Sequence, residues 1–95
     1  MNTAITPKII PKDTLFISIK NPDKTLFQGL IKGVTSKNDK GPFDILSEHE
    51  NFITIIREKI IVYPIDGEQI EWGIDQGVLK VKENKVNVFL GIETV

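Results

Sequence analysis

Turn signals break this chain about every 8–12 residues, and the runs between them are short and β-prone. That spacing leaves no room for a helix of useful length and points to an all-β sandwich or barrel. "TLFISIK" alternates, with Leu15, Ile17 and Ile19 on one face. "NPDK" follows as a turn, with proline suited to its second position and aspartate to its third. "TLFQGLIKGVTS" reads as a strand carrying Gly29 and Gly33, which inside a strand mark a bulge or a close backbone approach. "KNDKGP" is a polar loop and "FDIL" a short extended piece. "NFITII" and "KIIVYPI" read as two strands joined through Arg57-Glu58, and Asp66-Gly67 is a hairpin signal. "QIEWGI" and "GVLKVK" flank a further turn at Asp75-Gln76-Gly77, and "ENK" turns the last hairpin into "VNVFLGI". The expected architecture is a two-sheet antiparallel β-sandwich of about 8–10 short strands over residues 14–95. An extended arm, residues 1–13, precedes it with Pro7 and Pro11 around Ile9 and Ile10.

A chain of 95 residues makes one domain with one core and little room for a deep pocket. Twelve basic and thirteen acidic side chains give a net charge of -1, which argues against a nucleic-acid partner. The lysines are dispersed among acids, as on a solvated surface. There is no cysteine, so disulfides, thiolate metal sites and a cysteine nucleophile are excluded. No apolar run approaches the roughly 20 residues of a membrane span. The start, "MNTAITPKIIPKD", lacks the basic head and long apolar stretch of a signal peptide. A soluble, cytoplasmic protein without a membrane-inserted segment is the expectation.

The only histidine, His49, sits in "GPFDILSEHENF" with Asp44, Glu48 and Glu50 beside it. A histidine oriented by a carboxylate is the arrangement of a general base. Catalysis also needs a nucleophile, an oxyanion site and a shielded pocket, and the sequence offers no pattern for them. Ser47 stands two residues away, without a nucleophile-elbow pattern around it. One histidine with scattered carboxylates lacks zinc-ligand spacing, and "DKGPFDILSEHE" does not match a calcium loop. There is no GxxxxGK[ST] and no GxGxxG. Trp72, the only tryptophan, reads as core or as a half-buried staple. The residues alone therefore describe an interaction module with no catalytic, metal or cofactor site.

One feature exceeds what a simple sandwich needs. "FITII", "IIVYPI" and "LFQGLI" are apolar on both faces, whereas solvated antiparallel strands alternate. Three explanations stand open: both faces buried within the domain, a strand that twists between two sheets, or an outer face covered by a partner.

The order of these pieces resembles the N-terminal β-sandwich domain of the epsilon subunit of F-type ATP synthases. "ISIKNPDKTLFQG" resembles the family's opening strand and turn followed by V-F-x-G, through Pro22, Asp23, Leu26, Phe27 and Gly29. "VTSKNDKGPFDILSEHENF" is similar to its segment ending I-L-P-x-H, through Gly41, Phe43, Ile45, Leu46 and His49. "QGVLKV" resembles its G-G-x-L-x-V strand, and "NKVNVFL" its N-x-V-x-V-L strand. Ser47 replaces the usual proline, Glu48 a common small residue, Asp44 a frequent glycine, and Arg57-Glu58 a frequent K-P-G turn. The chain stops at Val95, so the helical hairpin that family members usually add, and any ATP site on it, are not expected.

The resemblance implies a non-catalytic subunit of the central stalk. It would couple the gamma subunit to the membrane c-ring, as one copy in a hetero-oligomer on the inner face of the plasma membrane. It also implies the contact residues. One group is the loop Asp39, Lys40, Gly41, Pro42, Phe43, Asp44, Glu48 and His49. The other is an apolar gamma-facing surface among Phe27, Ile31, Ile61 and Tyr63. The alternatives are a free-standing β-sandwich adaptor with a changed partner and a small enzyme or metal binder built on His49.

Overall fold

The computed structural model describes residues 7–91. Six strands follow one another: β1 (Leu15–Lys20), β2 (Thr25–Asn38), β3 (Gly41–Leu46), β4 (Phe52–Pro64), β5 (Ile70–Lys82) and β6 (Lys85–Leu90). No helix occurs among the described residues. Of the expected arm, residues 1–6 lie outside the described residues. Residues 7–13 are irregular and lead into β1 through a turn in which Thr14 donates from both its N–H and its hydroxyl to the Pro11 carbonyl.

The all-β sandwich is present, but it is drawn with fewer and longer strands than the turn signals suggest. "NFITII" and "KIIVYPI" are one strand, β4, and "QIEWGI" and "GVLKVK" are one strand, β5. The reason lies in the ladder registers. Between β4 and β5, Arg57 pairs with Gln76 and Glu58 with Ile74, so Asp75 has no partner. Asp75-Gln76-Gly77 is thus a one-residue bulge inside a strand, not a turn. Between β2 and β4, Ile31 pairs with Pro64 and Gly33 with Tyr63, which leaves Lys32 unmatched. Each bulge shifts the side-chain phase by one residue and bends the strand.

The phase shift is visible in burial. Trp72 and Ile74, at even positions, pack against the core before Asp75, and Gly77, Leu79 and Val81, at odd positions, are buried after it. In β2, Phe27 and Ile31 face inward before Lys32, and Val34 and Ser36 after it. So the long strands serve both layers. One layer holds β1, β6 and the halves of β2, β4 and β5 paired nearest to them. The other holds β3 and the remaining halves. β1 pairs with β2 on one side and runs parallel to β6 on the other. The ladder therefore closes through β1, β2, β4, β5 and β6, which removes most of its open edges.

The core fills the space between the layers. Leu15, Ile17 and Ile19 of β1 join Ile56, Leu79, Val81, Val86 and Val88, all essentially inaccessible, against Val34, Ile45, Ile60 and Val62. Two edge-to-face aromatic pairs close its ends: Phe27 with Trp72, centroids 5.9 Å apart, and Phe43 with Phe52, 5.6 Å apart. Trp72 is thus the half-buried staple expected of it.

The turns follow their residues. In Asn21–Lys24, the Asn21 side-chain oxygen accepts from the Asp23 and Lys24 N–H groups, both at 2.8 Å. The β5–β6 hairpin turns on Glu83 (φ 50°) and Asn84 (φ 62°), the pair of positive φ angles that a type I′ turn demands. The β4–β5 connection, Ile65–Gln69, is longer than a two-residue hairpin, with Gly67 at φ 96°.

Gly77 stands where β5 bends under β6. A Cβ there would meet Leu90 Cδ2 at 2.7 Å and the Phe89 carbonyl oxygen at 2.8 Å. Gly73, four residues earlier, has nothing within 4 Å of such an atom. Gly77→Ala should therefore cost about 1–3 kcal/mol by overpacking. Gly73→Ala should stay within about 0.5 kcal/mol of the parent. Urea unfolding midpoints of the two variants check both.

Candidate partner-binding surfaces

His49 lies in a four-residue turn that leaves β3. Its N–H donates to the Leu46 carbonyl at 3.3 Å, and Glu48, the third residue of the turn, has φ 65°. One positive φ at that place is the type II pattern, which favours proline at the second position and glycine or asparagine at the third. Here those positions hold Ser47 and Glu48. Two of the departures from the family pattern thus fall on the residues whose backbone the turn constrains most.

The acids around His49 in sequence do not gather around it in space. The Asp44 carboxylate accepts from the Thr35 hydroxyl at 2.5 Å, and the same hydroxyl lies 3.2 Å from the Tyr63 hydroxyl, on the outer face of the β3-bearing layer. The Glu48 carboxylate accepts from the Asn84 amide at 2.9 Å. Glu50 offers His49 only its backbone carbonyl, 2.8 Å from Nδ1. The His49 ring rests half-buried on Phe52, centroids 5.5 Å apart, and Phe52 in turn meets Phe43. Since a carbonyl oxygen can only accept, Nδ1 is the donor in the bond to Glu50. No group of three His, Cys, Asp or Glu side chains that could hold a metal occurs among the described residues.

The loop Asp39–His49 is not one patch. Asp39 and Lys40 form the β2–β3 turn, where Lys40 N–H donates to the Asn38 side chain at 2.8 Å and Gly41 takes φ 120°. Asp39 pairs with Arg57 at 3.0 Å, and neighbouring Lys37 with Glu58 at 2.9 Å. These exposed pairs contribute little each, but they tie the end of β2 and its following turn to β4 at its bend. Glu48 and His49 follow the other end of β3, about 17 Å away at 3.3 Å per residue. Between them Pro42 and Asp44 are exposed, while Phe43 turns inward.

The four apolar positions read from the sequence also separate. Ile31 is wholly buried in the core, because it opposes Leu15 of β1 just before the Lys32 bulge, and it offers no surface. Phe27 packs on Trp72 at the core's rim. Ile61 is 9% exposed and Tyr63 half-buried, on the outer face of the β3-bearing layer.

The structure shows a different apolar surface, on the outer face of the β1-bearing layer. Ile55 stands opposite Val78, which stands opposite Phe89, and Ile53 stands beside them opposite Lys80. Ile53 is 66% exposed, Ile55 45% and Phe89 44%, so three large apolar side chains on two strands face water around the half-buried Val78. Three large apolar side chains grouped on one face go beyond the singly scattered ones that are normal on a protein surface. The signal was in the sequence: "FITII" is apolar on both faces, and Ile53 and Ile55 are the face that the core does not take. Choosing between that segment and "IIVYPI" required knowing which strand half lies against which layer. No helix among the described residues is long and apolar enough to cross a membrane.

Comparison with known proteins adds to this geometry. Residues 14–91 match the family model described as ATP synthase, Delta/Epsilon chain, beta-sandwich domain. The chain is 32% identical over 78 residues to an ATP synthase epsilon chain of Clostridium botulinum (strain Eklund 17B / Type B), covering 81% of this chain and 58% of that one. The epsilon chain of the Hall strain is 35% identical over 78 residues, again with 81% of this chain covered and 59% of that one. This chain therefore spans less than two thirds of the length of these relatives. A chain in the Euglena gracilis mitochondrial ATP synthase structure (OSCP/F1/c-ring) superposes with a TM-score of 0.77 at 16% identity, over 95% of this chain and 57% of that one. A chain in the Tetrahymena thermophila central stalk and c-ring structure gives 0.66 at 10% identity, over 80% and 62%. At such identities these two likenesses speak for the fold alone.

The aromatic row gives a test of what His49 does for the domain. Phe52→Ala removes the ring on which both Phe43 and His49 lean and should cost about 2–4 kcal/mol. His49→Ala removes only the outermost ring and should cost less than about 1 kcal/mol. Chemical unfolding curves of the two variants separate these outcomes.

Proposed function

Because the chain belongs to the ATP synthase delta/epsilon β-sandwich family, we propose that it is a non-catalytic part of the synthase's rotating central stalk. In this role it couples the gamma subunit to the membrane c-ring. The observation that carries the reading is the apolar face on which exposed Ile53, Ile55 and Phe89 surround half-buried Val78.

A stalk part does no chemistry. It transmits torque, so its surfaces must be rigid and complementary rather than reactive. The apolar face suits the gamma subunit, against which a permanent contact buries large side chains. The end bearing His49, with Glu48, Glu50, Lys82, Glu83 and Lys85 around the β5–β6 turn, suits the polar loops of the ring. Mixed charge there sets register more than affinity. The reading keeps the His49 end as a contact region and replaces the four apolar positions read from the sequence by the Ile53–Phe89 face. The family match over residues 14–91 supports a stalk role over a free-standing adaptor.

Co-expression with the cognate gamma subunit tests this. The chain should co-purify with gamma, and Ile55→Asp, at an exposed position, should abolish capture while leaving the unfolding midpoint nearly unchanged. Failure of the parent chain to bind gamma, or full binding by Ile55→Asp, would contradict the proposal.

A further inference from the structure

We infer that Asn84 is a positioning residue for the ring-facing turn: its side chain clamps Glu48 and thereby holds His49 in place. The inference rests on the stalk reading above. Its geometric half stands independently.

Glu48 occupies the left-handed region at φ 65°, where a residue with a Cβ is disfavoured. Within its own turn little opposes relaxation. The Leu46–His49 backbone bond is long at 3.3 Å, and the His49 ring bonds only to the next residue. The turn's one side-chain tie to a distant part of the chain, among the described residues, is to Asn84, 36 residues away. The Asn84 side-chain oxygen accepts from the Glu48 N–H at 2.7 Å, and its amide donates to the Glu48 carboxylate at 2.9 Å. Glu48 is thus gripped by backbone and side chain at once, so its φ cannot change without breaking one of the two bonds.

Asparagine suits this place on two counts. Its own φ of 62° is required by the two-residue β5–β6 turn, and asparagine tolerates that region better than most residues. It also carries a donor and an acceptor on one short side chain, as the reciprocal grip requires. Aspartate would keep the acceptor, lose the donor and set a second carboxylate against Glu48. Glycine would satisfy the backbone and lose the grip. Asn84 is anchored in turn, since its carbonyl accepts from the Phe16 N–H at 2.9 Å. The grip therefore joins three segments at one end of the domain: the start of β1, the β5–β6 hairpin and the His49 turn.

Asn84→Gly separates the two requirements, because glycine keeps the hairpin's backbone and removes only the side chain. Hydrogen exchange should be followed on the full chain, and its affinity measured for the purified gamma–ring assembly. In Asn84→Gly the Glu48 and His49 amides should exchange about tenfold faster while strand amides keep their protection, and affinity should fall by about the same factor. Adding Ser47→Pro, which pre-sets the second position of a type II turn, should recover most of that affinity without restoring the lost bonds. Unchanged exchange at Glu48, or protection lost evenly through the sheets, would overturn the clamp. Altered exchange with unchanged affinity would overturn its role in the contact. If the parent chain fails to bind the assembly, the stalk reading fails, and the exchange data still decide the clamp.

Discussion

A single extra residue in each of two strands governs the architecture. A strand can line only one face of a core unless its phase is reset, because successive side chains point to opposite sides. Lys32 in β2 and Asp75 in β5 provide that reset. Each lets one strand contribute inward side chains to two layers and bends it between them. The closed ladder, the absence of a long free edge and the small core all depend on these two residues. Both are exposed and charged, as suits a position that no partner strand covers. β4 bends with β5 where Glu58, at φ 75°, faces the bulge. The ion pairs Lys37–Glu58 and Arg57–Asp39 cross the same bend, linking β2 and its following turn to β4.

The same economy keeps the acids near His49 in sequence from gathering around its ring. Two of the three acids beside it in sequence are bound elsewhere, Asp44 to Thr35 and Glu48 to Asn84, and Glu50 meets His49 only through its backbone carbonyl. What remains is a stiff module with two chemically distinct regions. One is an apolar face on β4, β5 and β6, and the other a polar end built on two tight turns. On the proposed stalk role this division is useful, because each contact must hold its geometry under load.

Much of the fold was legible because its signals are local. Alternation in "TLFISIK", the Asn21–Lys24 turn and the Glu83-Asn84 hairpin depend on neighbours along the chain. The long strands were not legible as single elements. A bulge with glycine after it, such as Asp75-Gln76-Gly77, carries the same residues as a turn, and only the partner strand shows which it is. The candidate site divided in the same way. The His49 turn is recognisable in the sequence through family resemblance, and its part as a contact region belongs to the proposed function. For Ile31 the sequence does not distinguish surface from core, because β2 is apolar on both faces and the phase shift at Lys32 hides which face is inside. Asn84 gave no signal of its grip, because its partner lies 36 residues away.

The absence of cysteine makes one measurement especially direct, since any introduced thiol is unique in this chain. His49→Cys and Ile55→Cys, each assembled into the synthase and oxidised, can be scored for the subunit they capture from a set of cysteine-bearing partners. On the proposed arrangement His49→Cys cross-links to the ring subunit and Ile55→Cys to gamma. Cross-linking of Ile55→Cys to the ring alone, or of neither variant to any stalk or ring subunit, would contradict it.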